Sequence, residues 1–256
     1  MTLPDTEPRE SPVGHYARKQ LHCPSRVVAW SHGSRFDRAR QLAGSDPAGR
    51  LLDYGCGDGT FVAMIHERFA SVRGVDLDAG QIEDCRRRLG HLPRVSFGVT
   101  GDLGAADAGG WTVVTCMEVL EHCLEDQRRR IIRQLATVCA PGGRVIVSVP
   151  IETGPALAGK HLFRALAGLR RLGDYRHRER YSPMEMARSL SGLPIARPIY
   201  RGEHDTPYHG HKGFEWREVQ RELASCLTIE QRQFTPLGWA GALLNSQAWF
   251  VCRRTR

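Results

Sequence analysis

The amino-acid sequence predicts an α/β fold with a mostly parallel, doubly wound sheet. Three observations lead to this class. Short apolar segments alternate with helical segments between residues 50 and 149, a glycine-rich turn directly follows the first apolar segment, and the composition is globular, with 41% hydrophobic and 25% charged residues in 256. Sheets of this class bind ligands at the carboxyl ends of their strands.

The elements between residues 50 and 149 are predicted from the pattern of apolar residues. A strand is predicted where apolar residues follow one another, and a helix where they recur every three or four positions. The predicted strands cover residues 50–54, 72–75, 95–99, 111–116 and 144–149, and the predicted helices cover residues 60–69, 81–89 and 127–139. In the second helix, Ile82, Cys85 and Leu89 share one face. Pro141 and the two glycines after it close the third.

The alternation stops after residue 150, where we expect a helical cap inserted into the core. Its first helix is predicted over 157–172, with Lys160, Arg164 and Arg171 on the polar side. Ser182 followed by Pro183 marks the start of a second helix. The polar stretch 202–213 is predicted to be a loop that can close over a site.

The last part of the chain is predicted to return to the core. A helix is expected over 214–227, and strands are expected over 227–234 and 243–252. We therefore predict four parts: residues 1–49 as a leader and cap helices, 50–150 as the cofactor-binding core, 151–213 as a basic cap insertion, and 214–256 as a helix and hairpin that complete the core.

Charge is distributed unevenly along the chain. The net charge is +8, yet residues 51–159 carry −3 and residues 160–180 carry +5. The basic segment 160–180 could contact an anionic membrane surface or form a solvated helix face. No apolar run is long enough to span a membrane, and the first residues do not read as a secretory signal. Eight cysteines without a C-x-x-C pair favour a reducing, cytoplasmic compartment.

Acidic and glycine residues follow the first three predicted strands. The first strand runs into Asp53, Gly55, Gly57 and Gly59, in the pattern D-x-G-x-G-x-G. The second ends in Asp76, whose carboxylate can accept hydrogen bonds from both hydroxyls of a ribose. The third is followed by Asp102 and Leu103, which suit an adenine amino group and ring face. These signals together predict a nucleoside-containing ligand.

These residues resemble the class I S-adenosylmethionine-dependent methyltransferases. LLDYGCGDG is similar to the first motif of that family, VDLD to the second and GDL to the third. The resemblance implies a Rossmann-like, seven-stranded fold with an antiparallel C-terminal hairpin, and S-adenosylmethionine as cofactor. The cofactor-binding residues that it implies are Asp53, Gly55 and Gly57 for the methionine end, Asp76 for the ribose, and Asp102 and Leu103 for the adenine, together with Leu77 and Met117. By position, the segment around Trp30 and Arg35 is expected to cover the cofactor.

The fourth predicted strand leads into Glu118, Glu121 and His122, at the point that faces the transferred methyl group in this family. The string E-x-x-E-H resembles ubiquinone-biosynthesis-type O-methyltransferases. It also resembles small-RNA 2′-O-methyltransferases, in which two Glu and two His bind a divalent ion. His211 would then be the fourth ligand, although Gly213 adds one residue to the spacing of that group.

Three interpretations of this string remain open: local structural roles, a general base at His122, and a metal site. We expect Glu118, His122 and His211 to be the catalytic residues, without a resident metal.

The leading functional hypothesis is methyl transfer, at oxygen, to a small-molecule or lipid-linked acceptor. One alternative is a metal-dependent RNA 2′-O-methyltransferase, which the E-x-x-E-H string, His211 and the basic excess favour. Nucleic acid is the less favoured partner because the sequence has no basic platform interleaved with aromatic residues. Another alternative is a scaffold that keeps the fold without turnover.

Overall fold

The computed structural model describes residue 14 and residues 26–160, 179–202 and 205–254. Seven strands form one sheet in the order β3-β2-β1-β4-β5-β9-β8. Their bounds are Asp46–Tyr54 (β1), Phe69–Asp76 (β2), Val95–Val99 (β3), Trp111–Met117 (β4), Cys139–Pro150 (β5), Thr228–Thr235 (β8) and Gln247–Arg253 (β9). The first five are parallel, and β9 is antiparallel to both β5 and β8. This confirms the predicted α/β, Rossmann-like sheet with its C-terminal hairpin.

Helices cover both faces of the sheet. They are α1 (Arg26–Ala43), α2 (Thr60–Ile65), α3 (Ala79–Leu89), α4 (Glu125–Val138), α5 (Pro183–Leu190) and α6 (Trp216–Ala224). One hydrophobic core contains apolar residues of α1, α2 and α3, and the other contains those of α4 and α6. The sheet is therefore doubly wound, as the alternation of elements predicted.

Several predicted boundaries differ from the observed ones. The helix predicted over 60–69 ends at Ile65, because Phe69 is fully buried as the first residue of β2. The helix predicted over 127–139 ends at Val138, and Cys139 already belongs to β5. The strand predicted over 243–252 begins only at Gln247, since its partner strand β5 ends at Pro150, which pairs with Gln247.

The cap also differs from the prediction. Residues 155–160 are helical, whereas the rest of the helix predicted over 157–172, including Arg164 and Arg171, lies outside the described residues. Ser182 begins α5 as predicted, because its hydroxyl accepts the Glu185 N–H at 3.2 Å. The loop predicted over 202–213 contains strand β7 (Pro207–His209), which pairs with β6 (Ile199–Arg201).

The described residues also bear on membrane crossing and on the state of the cysteines. Within the described part of the chain, no helix combines the length and the apolar character needed to cross a membrane. Cys116, Cys139 and Cys252 are buried, free thiols that belong to the hydrophobic core. The leader predicted at the start of the chain lies outside the described residues.

Candidate active site

The turn after β1 is built from glycines and held by hydrogen bonds that it donates to β2. The N–H groups of Gly55 and Cys56 donate to the carbonyl oxygen of Val75 at 2.7 and 3.0 Å. Gly55 has φ = 76°, and a Cβ atom there would lie 2.2 Å from Cγ2 of Val119. A larger residue is therefore excluded by both backbone conformation and space. The turn brings the main chain close to the carboxyl end of β1, where a ligand can approach it.

Asp53 lies near the end of β1 with only 2% of its surface exposed. The hydroxyl of Thr115, on the neighbouring β4, donates to its Oδ1 at 2.7 Å. Burial raises the pKa of Asp53 to about 7, the bond from Thr115 opposes this change, and the charge of Asp76 adds to it. A cation bound here would favour the ionised carboxylate.

Asp76 supports the glycine turn from the end of β2. Its Oδ2 accepts the N–H of Gly57 at 2.9 Å, and its Oδ1 accepts the N–H of Asp78 at 3.0 Å. The carboxylate is therefore fixed in orientation at the sheet edge. Leu77, beside it, is largely exposed, as is expected of a side chain that would cover a ligand.

The remaining predicted cofactor residues lie after β3 and β4. Asp102 is exposed, and its Oδ2 accepts the N–H of Val99 at 3.0 Å, so one of its oxygens shapes the local turn. Leu103 is half-buried against the core that includes α4, and Met117, at the end of β4, packs against the core on the other face. The sheet thus brings all these residues to one edge.

The residues at this edge fit S-adenosylmethionine. The cofactor carries an ammonium and a sulfonium, and Asp53 and Asp76 supply carboxylates at the ends of adjacent strands. A Cβ atom at Gly57 would have Gln81 Oε1, at 3.8 Å, as its nearest neighbour, and one at Gly101 would meet nothing within 4 Å. The backbone is therefore open to a ligand at these two positions.

Glu118 occupies a strained position directly after β4. Its φ is 56°, a conformation that costs free energy for a residue with a side chain. Its N–H donates to the carbonyl of Ser148 at 3.0 Å, and its Oε1 accepts the Ser148 hydroxyl at 3.3 Å. Its Oε2 lies 3.7 Å from Nη2 of Arg35. Helix α1 is thereby linked to the site, which supports the expected covering role of this segment.

His122 and His211 lie side by side although 89 positions separate them in the sequence. Their ring centroids are 5.0 Å apart at an angle of 77°. Nδ1 of His122 is 3.0 Å from the carbonyl oxygen of His209. Because a carbonyl only accepts hydrogen bonds, Nδ1 carries the proton of this bond, and Nε2 is the ring nitrogen that could serve as a base.

Two buried carboxyl groups flank this histidine pair. Glu121 is fully buried, its Oε1 is 3.9 Å from Nε2 of His122, and neither of its oxygens hydrogen-bonds to a described residue. Burial raises the pKa of Glu121 well above its usual value, and the charge of Glu118 adds to this. On the other side, Oε1 of Glu152 lies 3.9 Å from Nδ1 of His211. Burial lowers the pKa of His211, which keeps this ring neutral near pH 7.

Lys160 corrects the prediction for the basic cap. It was expected on the polar side of a helix together with Arg164 and Arg171, facing either an anionic surface or solvent. Instead, its Nζ is 2.8 Å from Oε1 of Glu152, and its side chain is mostly buried. An ammonium next to a buried carboxylate compensates a charge that would otherwise be costly, so Lys160 belongs to the site.

The predicted metal ligands come together only in part. The extra Gly213 does not displace His211: with φ = 73° it forms a tight turn that returns Phe214 to the core. Glu118, however, is engaged by Arg35 and Ser148. Among the residues that the structure describes, no three or more His, Cys, Asp or Glu side chains surround a common metal position. Of the four predicted ligands, the structure thus brings His122 and His211 into ring contact and holds Glu118 in other bonds.

Three residues of the site were not singled out as site residues from the sequence. Thr115 fits any buried strand position, and Arg35 was noted only as part of a covering segment. Glu152 could have been identified from the sequence. It is a carboxylate directly after the apolar run of β5, and ligand-binding residues of parallel sheets are found at such positions.

Comparison with known proteins agrees with this arrangement. A family model described as a methyltransferase domain matches residues 30–192, which is more than half of the chain. The ubiquinone biosynthesis O-methyltransferase of Xanthomonas axonopodis pv. citri is 33% identical over 161 residues, covering 59% of this chain and 65% of that enzyme. The match thus spans slightly less than two thirds of the relative's length.

Solved structures show the same fold at low identity. A putative S-adenosylmethionine-dependent methyltransferase of Listeria monocytogenes has a TM-score of 0.57 at 12% identity, covering 88% of this chain and 98% of its own. The N-methyltransferase NodS of Bradyrhizobium japonicum, solved with S-adenosylhomocysteine, has a TM-score of 0.51 at 15% identity, covering 92% and 95%.

Proposed function

The chain belongs to the class I S-adenosylmethionine-dependent methyltransferases, and on that premise we propose that it methylates a hydroxyl oxygen of a small-molecule or lipid-linked acceptor. The observation behind the choice of oxygen is that Nδ1 of His122 faces the carbonyl oxygen of His209, which leaves Nε2, 3.9 Å from Oε1 of Glu121, as the ring nitrogen available to an acceptor hydroxyl. A hydroxyl must lose its proton as it attacks, and a neutral imidazole accepts one near pH 7.

When bound, S-adenosylmethionine supplies an electrophilic methyl group on its sulfonium. In the proposed mechanism, Asp53 binds the ammonium of the cofactor and Asp76 its ribose hydroxyls. His122 accepts the hydroxyl proton at Nε2 while its Nδ1–H stays bonded to the carbonyl of His209. Much of the rate enhancement in such a site comes from holding the reactants in position.

The nature of the acceptor is supported by the relatives. The Xanthomonas relative is named as an O-methyltransferase of ubiquinone biosynthesis, which favours oxygen and a lipid-linked acceptor. We further propose a cytoplasmic location, where a reducing environment keeps the free cysteines as thiols.

The deciding experiment is a labelled-methyl transfer screen over lipid extract, small phenols and sugars, and short RNA. We expect transfer to a lipid or phenol and none to RNA. His122→Ala should lower kcat by roughly 10²–10⁴ with cofactor affinity unchanged. His91→Ala, which removes an exposed histidine elsewhere, is the matched control and should keep full activity.

A metal-assisted reaction on RNA is the second candidate, and the contact between His122 and His211 is the observation that favours it. If it is correct, EDTA abolishes activity, Mg²⁺ or Mn²⁺ restores it, and His211→Ala is as damaging as His122→Ala. Cofactor binding without turnover on any acceptor would instead indicate a scaffold.

A further inference from the structure

The connection between β8 and β9 exposes large apolar side chains. Trp239 is 84% exposed and Leu243 61%, and Leu237 and Leu244 are exposed as well. Residues 236–248 contain no charged residue. Large apolar side chains exposed this close together in the sequence, with no charge among them, point to a site of interaction.

A buried polar side chain, that of Asn245, holds the backbone of this loop in place. Asn245 is 1% exposed, its Oδ1 accepts the N–H of Leu237 at 2.5 Å, and its Nδ2 donates to the carbonyls of Leu237 and Gly241, each at 2.6 Å. The N–H of Ala240 also donates to the carbonyl of Leu237 at 2.8 Å. Because these backbone groups are satisfied internally, the loop can enter an apolar phase without leaving them unpaired.

The loop lies at the same sheet edge as the active site. β9 begins at Gln247, opposite Pro150 at the end of β5, two residues before Glu152. Leu243 and Leu190, at the end of α5, line one cleft of about 190 Å³ with Ile151. We call Leu190, Leu237, Trp239, Leu243 and Leu244 the apolar rim.

We propose that the apolar rim docks the protein on an anionic lipid bilayer, with the active-site edge toward the lipid. Tryptophan favours the boundary between headgroups and acyl chains, and the leucines beside it favour the acyl region. The net charge of +8 suits anionic headgroups. A protein partner is less suited to this loop, because protein interfaces combine apolar contacts with hydrogen bonds and the loop uses its polar groups internally. This inference goes beyond the proposed reaction and does not depend on it.

The test is sedimentation of the full chain with vesicles of phosphatidylcholine and phosphatidylglycerol, without cofactor or acceptor. The wild type should bind and remain partly bound at high salt, because burial of apolar side chains is not screened. The double variant Trp239→Ser/Leu244→Ser should need about tenfold more lipid for half-maximal binding, or more. Trp30→Ser, which removes an exposed tryptophan of α1, is the matched control and should bind as the wild type does.

Three results would overturn the proposal. The first is that the wild type does not bind vesicles at low salt. The second is that the double variant binds them as well as the wild type does. The third is that neither protein binds vesicles, while light scattering shows a wild-type dimer in solution that the double variant does not form. The second result would transfer any membrane contact to the basic segment 160–180, and the third would assign the rim to a second copy of the chain. None of them bears on methyl transfer, which is measured separately.

Discussion

Cofactor affinity should depend on pH through Asp53. The pKa of this carboxyl is raised from 3.8 to about 7 by burial, a difference of about three units, which corresponds to about 4 kcal/mol between the two protonation states. Since the ammonium of the cofactor requires the ionised carboxylate, binding must release the proton. The affinity should therefore fall about tenfold for each pH unit below 7, and it should level off above 7 until the ligand amine itself loses its proton.

Two variants test this reasoning. Asp53→Asn should bind more weakly above pH 7 and lose the pH dependence. Thr115→Val keeps the shape of the side chain but removes the hydrogen bond that lowers the pKa of Asp53, so the change in affinity should move to higher pH. Isothermal titration calorimetry between pH 5.5 and 7.5, in buffers of different ionisation enthalpy, measures both affinity and proton release.

Stability provides an independent check of the same pKa. The folded state holds a proton on Asp53 between pH 4 and 7, so the unliganded wild type should lose stability relative to Asp53→Asn as pH rises through this range. A wild-type affinity that is constant from pH 5.5 to 7.5, or an Asp53→Asn variant with the same slope, would refute the assignment of Asp53 to the ammonium.

Three further predictions follow from neighbouring residues. Asp76→Ala should weaken cofactor binding by about 1.5–3 kcal/mol, and unchanged affinity in a folded variant would contradict the ribose role. Glu121→Gln should be more stable than the wild type, and the difference should grow as pH rises above about 4.5. The reason is that the pKa of Glu121 is raised in the folded state, so its ionisation opposes folding. Equal stability of the two proteins at all pH values in denaturant titrations would argue against a buried acid. Lys160→Met should lower the unfolding free energy by about 3 kcal/mol because it removes the ammonium 2.8 Å from the buried Glu152 carboxylate. Lys160→Met/Glu152→Gln should recover part of this loss, and additive losses would show that the two residues are not coupled.

Local signals along the chain were sufficient to predict the parallel sheet. The strand over Val95–Val99 and the start of α5 at Ser182 were predicted correctly, because continuous apolar runs and capping residues act over a few positions. The glycine turn could also be predicted from the sequence, because few residues other than glycine adopt the positive φ angles that it requires. Boundaries such as the start of β9 were wrong where the partner strand decides them.

Only the tertiary structure decided how distant residues combine. The contact of His122 with His211 and the pairing of Lys160 with Glu152 each depend on where the chain after β5 lies relative to the end of the sheet. The exposure of Trp239 is of the same kind, because an apolar loop after a strand could equally have been buried. The sequence by itself therefore determined the fold class and the acidic edge, whose signals are periodic and local. The protonation of Asp53 and the surroundings of His122 came from packing, since burial and long-range contacts leave no spacing pattern along the chain.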